Sequence, residues 1–299
     1  MFVDQTRVPE PFTLAVSGVP MSGLIAEAEN PRAILVAIHG GATTPRYFDA
    51  PGNPLRSLMR LGPALGLTIV APDRPGYGSS RGALGSDVSA SHQVDLAFGL
   101  VEKVLRGLGC TAHVFLLGHS QGCVLAMRMA ADPRFADLLG LELAGTGIKH
   151  SAQAESLRSN PAQFSGRPTL RNLLWEPEYL YRDQQRVLSS APRFDGMDAA
   201  TWPEEFAALA AKIAVPVRVS LGDHEYWWQG PPDGLGAMAR LFSRSERVVE
   251  AEQFQSGHNT SLGVSALAYH LKVLAFVEEC LLVRNRTGVD PAKLEIHNA

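Results

Sequence analysis

Short apolar runs that stop at a glycine-rich or polar turn recur along the chain, with helix-patterned segments between them. This rhythm restricts the fold more than any other feature. Residues 33–38 (AILVAI) run into HGG, 67–71 (LTIVA) into PDRPGYGSS, and 114–117 (VFLL) into GHSQG. Residues 138–143 (LLGLEL) run into AGTG, and 215–221 (VPVRVSL) into GDHE. An uninterrupted apolar run suits a strand covered on both faces, as in a parallel sheet packed between helices. Phe12–Val16 and Leu24–Ala28 are expected as short strands around a Gly/Pro turn, and Arg247–Glu250 as a last strand ahead of QSGHN. In open sheets of this class the turns at the C-terminal ends of the strands are where ligands bind.

Helices are expected between the strands. Val94, Ala97, Phe98, Val101, Val104, Leu105 and Leu108 follow helical spacing. Pro54 is placed to open a helix through Leu65, and residues 120–131 and 264–282 read as two more. One segment breaks the rhythm. From 149 to 211 the composition turns polar, with Pro161, Pro168, Pro177, Pro192 and Pro203 as breakers and Trp175, Tyr179, Tyr181, Phe194 and Trp202 among them. It reads as a mostly helical insert, a lid whose aromatics line a cavity. The expected organisation is an α/β core of residues 1–148 and 212–283, a helical cap of 149–211, and a flexible polar tail of 284–299.

GHSQG sets Ser120 between Gly118 and Gly122, where an apolar run stops and a small-residue helix begins. On a sharp strand–turn–helix corner the serine takes strained backbone angles and its hydroxyl is thrust up at the sheet edge. Residues two before and two after must then lack a Cβ. The N–H of Gln121 points toward charge forming on a substrate, aided by the positive end of the helix.

GHSQG, HGG (His39–Gly41) and DRPGYGSS (Asp73–Ser80), followed by SGHN (Ser256–Asn259), resemble the α/β-hydrolase superfamily in order and spacing over most of the chain. The resemblance is to its serine-nucleophile branch of esterases, lipases and thioesterases, with an insert after the sixth strand. Members with an aspartate at the elbow, the epoxide hydrolases and haloalkane dehalogenases, fit less well, because Ser120 stands there. The resemblance implies cofactor-free cleavage of a carboxylic ester or thioester, or elimination or acyl transfer on the same fold. A ligand-binding protein on this scaffold is the remaining alternative.

The family's chain order is Ser, acid, His. That order implies His258 as the base that activates Ser120. The acid lies in LGDHEYWW, as Glu225 or, closer to the strand, Asp223. Either carboxylate is suited to accept a hydrogen bond from the second ring nitrogen and fix the tautomer. Asp223–His224–Glu225 lacks the spacing of a zinc motif, and no metal or other cofactor is expected. The second oxyanion donor, beside Gln121, is expected from Gly41 or from Ala42. His39 is expected to order its loop and border the pocket, His119 to pack or wall the pocket, and Asp73 to hold its turn. Ala42, Tyr77, Trp175 and Trp227 are further pocket candidates, and Cys123 a buried apolar side chain.

Bulk properties exclude other classes. A net charge of -3 with scattered arginines gives no footprint for nucleic acid or an anionic membrane. Cys110, Cys123 and Cys280 form neither a disulfide framework nor a C-x-x-C pair. MFVDQTRVPEPF lacks the pattern of a signal peptide, and no apolar stretch is long enough to span a bilayer. A soluble cytoplasmic protein acting on a small molecule is expected; these features do not set its oligomeric state.

Overall fold

A computed structural model describes residues 8–50, 52–85, 88–109, 111–135, 137–159, 168–182, 185 and 187–288. Among the described residues eight strands form one sheet: β1 (Glu10–Val16), β2 (Val19–Ala26), β3 (Ala33–Ile38), β4 (Leu67–Pro72), β5 (His113–His119), β6 (Leu138–Ala144), β7 (Val217–Gly222) and β8 (Val248–Gln253). Their spatial order is β1-β2-β4-β3-β5-β6-β7-β8. β1 and β2 form an antiparallel hairpin and β2 pairs antiparallel with β4; the remaining pairs are parallel. The apolar runs are the central strands, and every residue of β3, β4, β6 and β7 is buried.

β2 begins earlier than the sequence suggested. The reversal is a two-residue turn at Ser17 and Gly18, both at positive φ, so that Val19 pairs directly with Val16.

The helices are α1 (Leu58–Ala64), α2 (Ala90–Leu108), α3 (Gln121–Ala130), α4 (Ala152–Ser159), α5 (Pro168–Trp175), α6 (Arg193–Ala210), α7 (Asp233–Ala239) and α8 (Ala266–Gly288). The helix expected from Pro54 is split. Pro54–Arg56 is a single 3₁₀ turn, and extended Ser57 then caps α1 by accepting the N–H of Arg60. α8 runs to Gly288, into the expected tail; residues 289–299 lie outside those described. Among the described residues no helix is long and apolar enough to cross a membrane.

Two apolar layers cover the sheet. One joins Val36, Ile38, Leu116 and Leu143 to Phe98 of α2, Val124 of α3 and Met238 of α7. The other joins Leu35, Ile69 and Leu117 to Leu58 of α1 and Tyr269, Val273 and Val277 of α8. α4, α5 and α6 all lie between β6 and β7 in the chain. The later half of α6 belongs to the first layer: Trp202, Phe206 and Ala210 are buried there, and Trp202 donates its indole N–H to Thr146 at 2.9 Å.

The sheet order reverses at β3, whose neighbours are β4 and β5. The crevice beyond the C-terminal ends of β3 and β5 is therefore a topological switch point, where open α/β sheets bind ligands.

Candidate active site

Ser120 closes β5 and is the N-cap of α3, with φ 50° and ψ −118°. A side chain resists such a backbone unless its surroundings impose it. Here the Ser120 N–H is fixed to the carbonyl of Ala144 at 2.9 Å. The flanking glycines are required by contact. A Cβ on Gly122 would stand 2.1 Å from the carbonyl oxygen of Ile38, and one on Gly118 would stand 2.7 Å from the Cα of Cys123. Only glycine lets α3 leave β5 this close to β3.

His258 follows β8 and Glu225 follows β7, and the structure brings both to Ser120. His258 Nε2 lies 3.0 Å from Ser120 Oγ. His258 Nδ1 lies 3.0 Å from Glu225 Oε2 and 3.2 Å from Oε1. Glu225 Oε1 also accepts the backbone N–H groups of Trp227, at 2.8 Å, and Trp228, at 3.3 Å. An ionised carboxylate, acceptor only, satisfies all these donors. Glu225 and His258 are both buried.

Asp223 takes a different place. It accepts the N–H groups of Gln255 and Ser256, each at 2.9 Å, and pairs with His224 at 2.8 Å. Partial burial pushes its carboxyl up, but bonds from Ser256, His224 and Gln255 outweigh this and hold it below the usual range. Asp223 thus ties down the loop that leads to His258, and Glu225 is the carboxylate that reaches the imidazole.

Gly41 lies over the start of α3, since a Cβ there would stand 3.3 Å from Gln121 Cγ. Gln121 is the first residue of α3, where N–H groups lack partners within the helix. Ala42 sits at φ 52° and its N–H donates to Tyr77 Oη at 3.0 Å. The Ala42 N–H is therefore already engaged, and Gly41 is the residue that stands over the first turn of α3.

His39 and His119 are held by hydrogen bonds within the loops around the site. His39 donates from Nδ1 to the carbonyl of Gly40 at 2.8 Å and accepts the Arg74 N–H at Nε2 at 3.2 Å. Burial, then the charge of Arg74, pull its pKa down to about 3, so it orders the loop as a neutral ring. His119 donates from Nε2 to the carbonyl of His258 at 3.0 Å and stacks on Tyr47. Burial, then the neighbouring His258, hold it well below the usual histidine value. Cys123 is fully buried, and that burial pushes its thiol up, as expected of an inert apolar side chain. Asp73 accepts the Ser22 hydroxyl at 2.6 Å, fastening its turn to β2.

A cavity of about 570 Å³ opens over Ser120 and His258. Gly40, Gly41, Ala42, Thr43 and His119 line it from the core, and Leu174, Trp175 and Val187–Ala191 from the segment between β6 and β7. Of the pocket candidates, Ala42, His119 and Trp175 line this cavity, whereas His39, Tyr77 and Trp227 do not. His39 and Tyr77 are fully buried behind the loop. The Trp227 ring packs edge-on against His150. The other insert aromatics differ too: Tyr179 is exposed, Tyr181 is buried against Trp175, and Trp202 belongs to the core.

Three contacts around the site have no signature in the sequence. Asn259 lines the cavity and donates its amide to the carbonyl of Leu174 at 2.6 Å. Tyr181 Oη accepts the N–H of Asn259 at 3.2 Å. Arg74, within DRPGYGSS, pairs with Asp195 of α6 at 2.6 Å. The partners are 78 to 121 positions apart, so no local pattern announces them.

Residues 35–266 match a family model described as the alpha/beta hydrolase family. Solved structures agree in fold. A thermostable carboxyl esterase from Bacillus coagulans superposes with a TM-score of 0.64 at 16% identity, over 92% of this chain and 100% of that one. A monoglyceride lipase variant from Saccharomyces cerevisiae gives 0.65 at 16% identity, over 94% and 97%. A thioesterase domain from the curacin biosynthetic pathway gives 0.60 at 17% identity, over 91% and 99%. No curated protein matches the chain in the sequence comparison.

Proposed function

The chain belongs to the alpha/beta hydrolase family, and on that premise we propose that it cleaves a carboxylic ester or thioester through an acyl-enzyme on Ser120. The observation that carries this reading is the continuous relay from Glu225 through His258 to Ser120, with each link near 3.0 Å.

His258 Nε2 takes the proton of Ser120 as Oγ attacks the carbonyl carbon. The developing oxyanion rests on the N–H groups of Gly41 and Gln121. His258 then protonates the departing alcohol or thiol. A water enters, loses its proton to His258 and attacks the acyl carbon. Collapse of the second tetrahedral intermediate returns the proton to Ser120 and frees the carboxylic acid. Glu225 keeps the Nδ1–H tautomer in place and stabilises the imidazolium throughout. No cofactor enters these steps.

Within the segment between β6 and β7, the described residues Leu174, Trp175 and Val187–Ala191 act as the cap, while the later half of α6 belongs to the core. Leu174, Trp175, Val187 and Leu188 offer apolar walls, while Thr43, Ser189, Ser190 and Asn259 add polar groups. A cavity of this size and lining suits an acyl group of small to medium size. The esterase, lipase and thioesterase structures of similar fold favour the same chemistry.

Ser120→Ala tests the reading. The variant should keep its Tm yet lose labelling by a fluorophosphonate probe and turnover of p-nitrophenyl esters. Wild-type rates in that variant would end the assignment.

A further inference from the structure

The loop that carries Gly41 is gripped by the cap segment as much as by the core. Ala42 occupies the left-handed region at φ 52°, a backbone that a residue with a Cβ resists. Both of its backbone polar groups are tied. The N–H donates to Tyr77 Oη at 3.0 Å, and the carbonyl accepts the N–H of Ser189 at 2.8 Å. The next residue, Thr43, donates its hydroxyl to the carbonyl of Val187 at 2.8 Å.

Tyr77 is itself held from α6. Its hydroxyl donates to Asp195 Oδ2 at 2.5 Å, which leaves the phenolic oxygen to accept from Ala42 and from Arg74, the latter at 3.2 Å. The Arg74 guanidinium bonds the same Asp195 oxygen at 2.6 Å and reaches toward the carbonyl of Gly40 at 3.4 Å. Arg74, Tyr77 and Asp195 are all buried. A Cβ on Gly41 would stand 3.7 Å from Asp195 Oδ2, so this carboxylate lies directly behind the loop. An unpaired buried carboxylate there would oppose a forming oxyanion, and the guanidinium offsets it.

We propose that Asp195 is a positioning residue for the oxyanion loop: by fixing Arg74 and Tyr77 it holds Gly40, Gly41 and Ala42 over Gln121, coupling the seating of the cap to the geometry of the reacting centre. This rests on the acyl-enzyme reading of Ser120. Asp195 lies outside the cavity lining. Its influence runs through the loop, so it falls on the transition state more than on substrate binding.

The same helix supplies a control. Glu205 of α6 bonds Arg128 of α3 at 2.8 Å, another tie between α6 and the core, with no contact to the oxyanion loop. The experiment compares wild type, Asp195→Asn, Tyr77→Phe and Glu205→Gln. It measures the rate of fluorophosphonate labelling at Ser120, kcat and KM for a p-nitrophenyl ester, and Tm. Tyr77→Phe keeps the Arg74–Asp195 ion pair but removes the hydroxyl that accepts from Ala42 and Arg74 and donates to Asp195, so it serves even where Asp195→Asn fails to fold. Asp195→Asn and Tyr77→Phe should lower labelling and kcat by about tenfold to a hundredfold, short of the full loss of an oxyanion donor, with KM changed by less than about threefold. Glu205→Gln should label at the wild-type rate. Unchanged or faster labelling in folded Tyr77→Phe or Asp195→Asn overturns the inference. Equal slowing in Glu205→Gln also overturns it, because anchoring of α6 alone would then be responsible. A wild-type protein whose Ser120 does not label removes the acyl-enzyme reading itself, and this inference with it.

Discussion

Replacing Glu225 by glutamine removes one charge and almost no volume, and the surrounding bonds dictate the outcome. Oε1 faces two backbone donors, Trp227 and Trp228, at 2.8 and 3.3 Å, while Oε2 faces His258 Nδ1 at 3.0 Å. The amide has one acceptor to offer. With its oxygen toward the tryptophan N–H groups, its NH₂ meets the Nδ1–H donor against donor. The imidazole then moves its proton to Nε2, which confronts Ser120 Oγ as a donor and is no longer a base. With the amide turned round the tautomer survives, but two buried N–H groups lose their acceptor, at a cost of about 1–3 kcal/mol each. The first arrangement should dominate. The matching amide substitution in the serine-protease triad costs about ten-thousandfold in kcat, or roughly 5 kcal/mol of transition-state stabilisation, and a similar loss is expected in Glu225→Gln. Asp223→Asn loosens the loop before His258 without touching the ring, so a loss within about tenfold and a lowered Tm are expected. Initial rates on a p-nitrophenyl ester, fluorophosphonate labelling and thermal melts of both variants decide the matter. A Glu225→Gln enzyme within tenfold of wild type, or an Asp223→Asn enzyme equally inactive but fully folded, would refute the reasoning.

The buried histidines make stability depend on pH. His39 and His270 have pKa values lowered to about 3, and His119 is held well below its usual value, in each case chiefly by burial. The unfolded chain takes up these protons near pH 6.5 and the native protein does not, so stability is full above that value and falls as pH drops toward 3. At pH 5.5 His39 and His270 together should cost about 3 kcal/mol, with His119 acting in the same direction, read as a lower urea midpoint than at pH 7.5; equal midpoints would contradict the neutral-ring assignments. Gly122→Ala should destabilise by about 1–3 kcal/mol or more and slow labelling, because its Cβ would stand 2.1 Å from the Ile38 carbonyl oxygen. Gly107→Ala, inside α2 with nothing within 4 Å of the added Cβ, should instead stabilise by up to about 1 kcal/mol. A higher Tm for Gly122→Ala than for Gly107→Ala would overturn that contrast.

What the amino-acid sequence determined by itself is local. Strands buried on both faces are largely apolar, so β3, β4, β6 and β7 were visible as runs, and the charged residues that interrupt β6 and β7, Glu142 and Arg218, pair with each other inside the sheet. The corner at Ser120 was visible because its packing tolerates only hydrogen at Gly118 and Gly122. Tertiary structure decided whatever depends on which side chains meet. Asp223 and Glu225 are two residues apart and chemically alike, and only the path of the chain after β7 turns one toward the backbone of Ser256 and the other toward His258. Tyr77 looked like a pocket wall because its loop adjoins the site, yet Ala42, Arg74 and Asp195 hold its hydroxyl behind that loop. The bond between Arg74 and Asp195 joins residues 121 positions apart. Periodicity reports what faces an apolar core, whereas a polar contact leaves no period, and its partner is fixed only once the chain has closed upon itself.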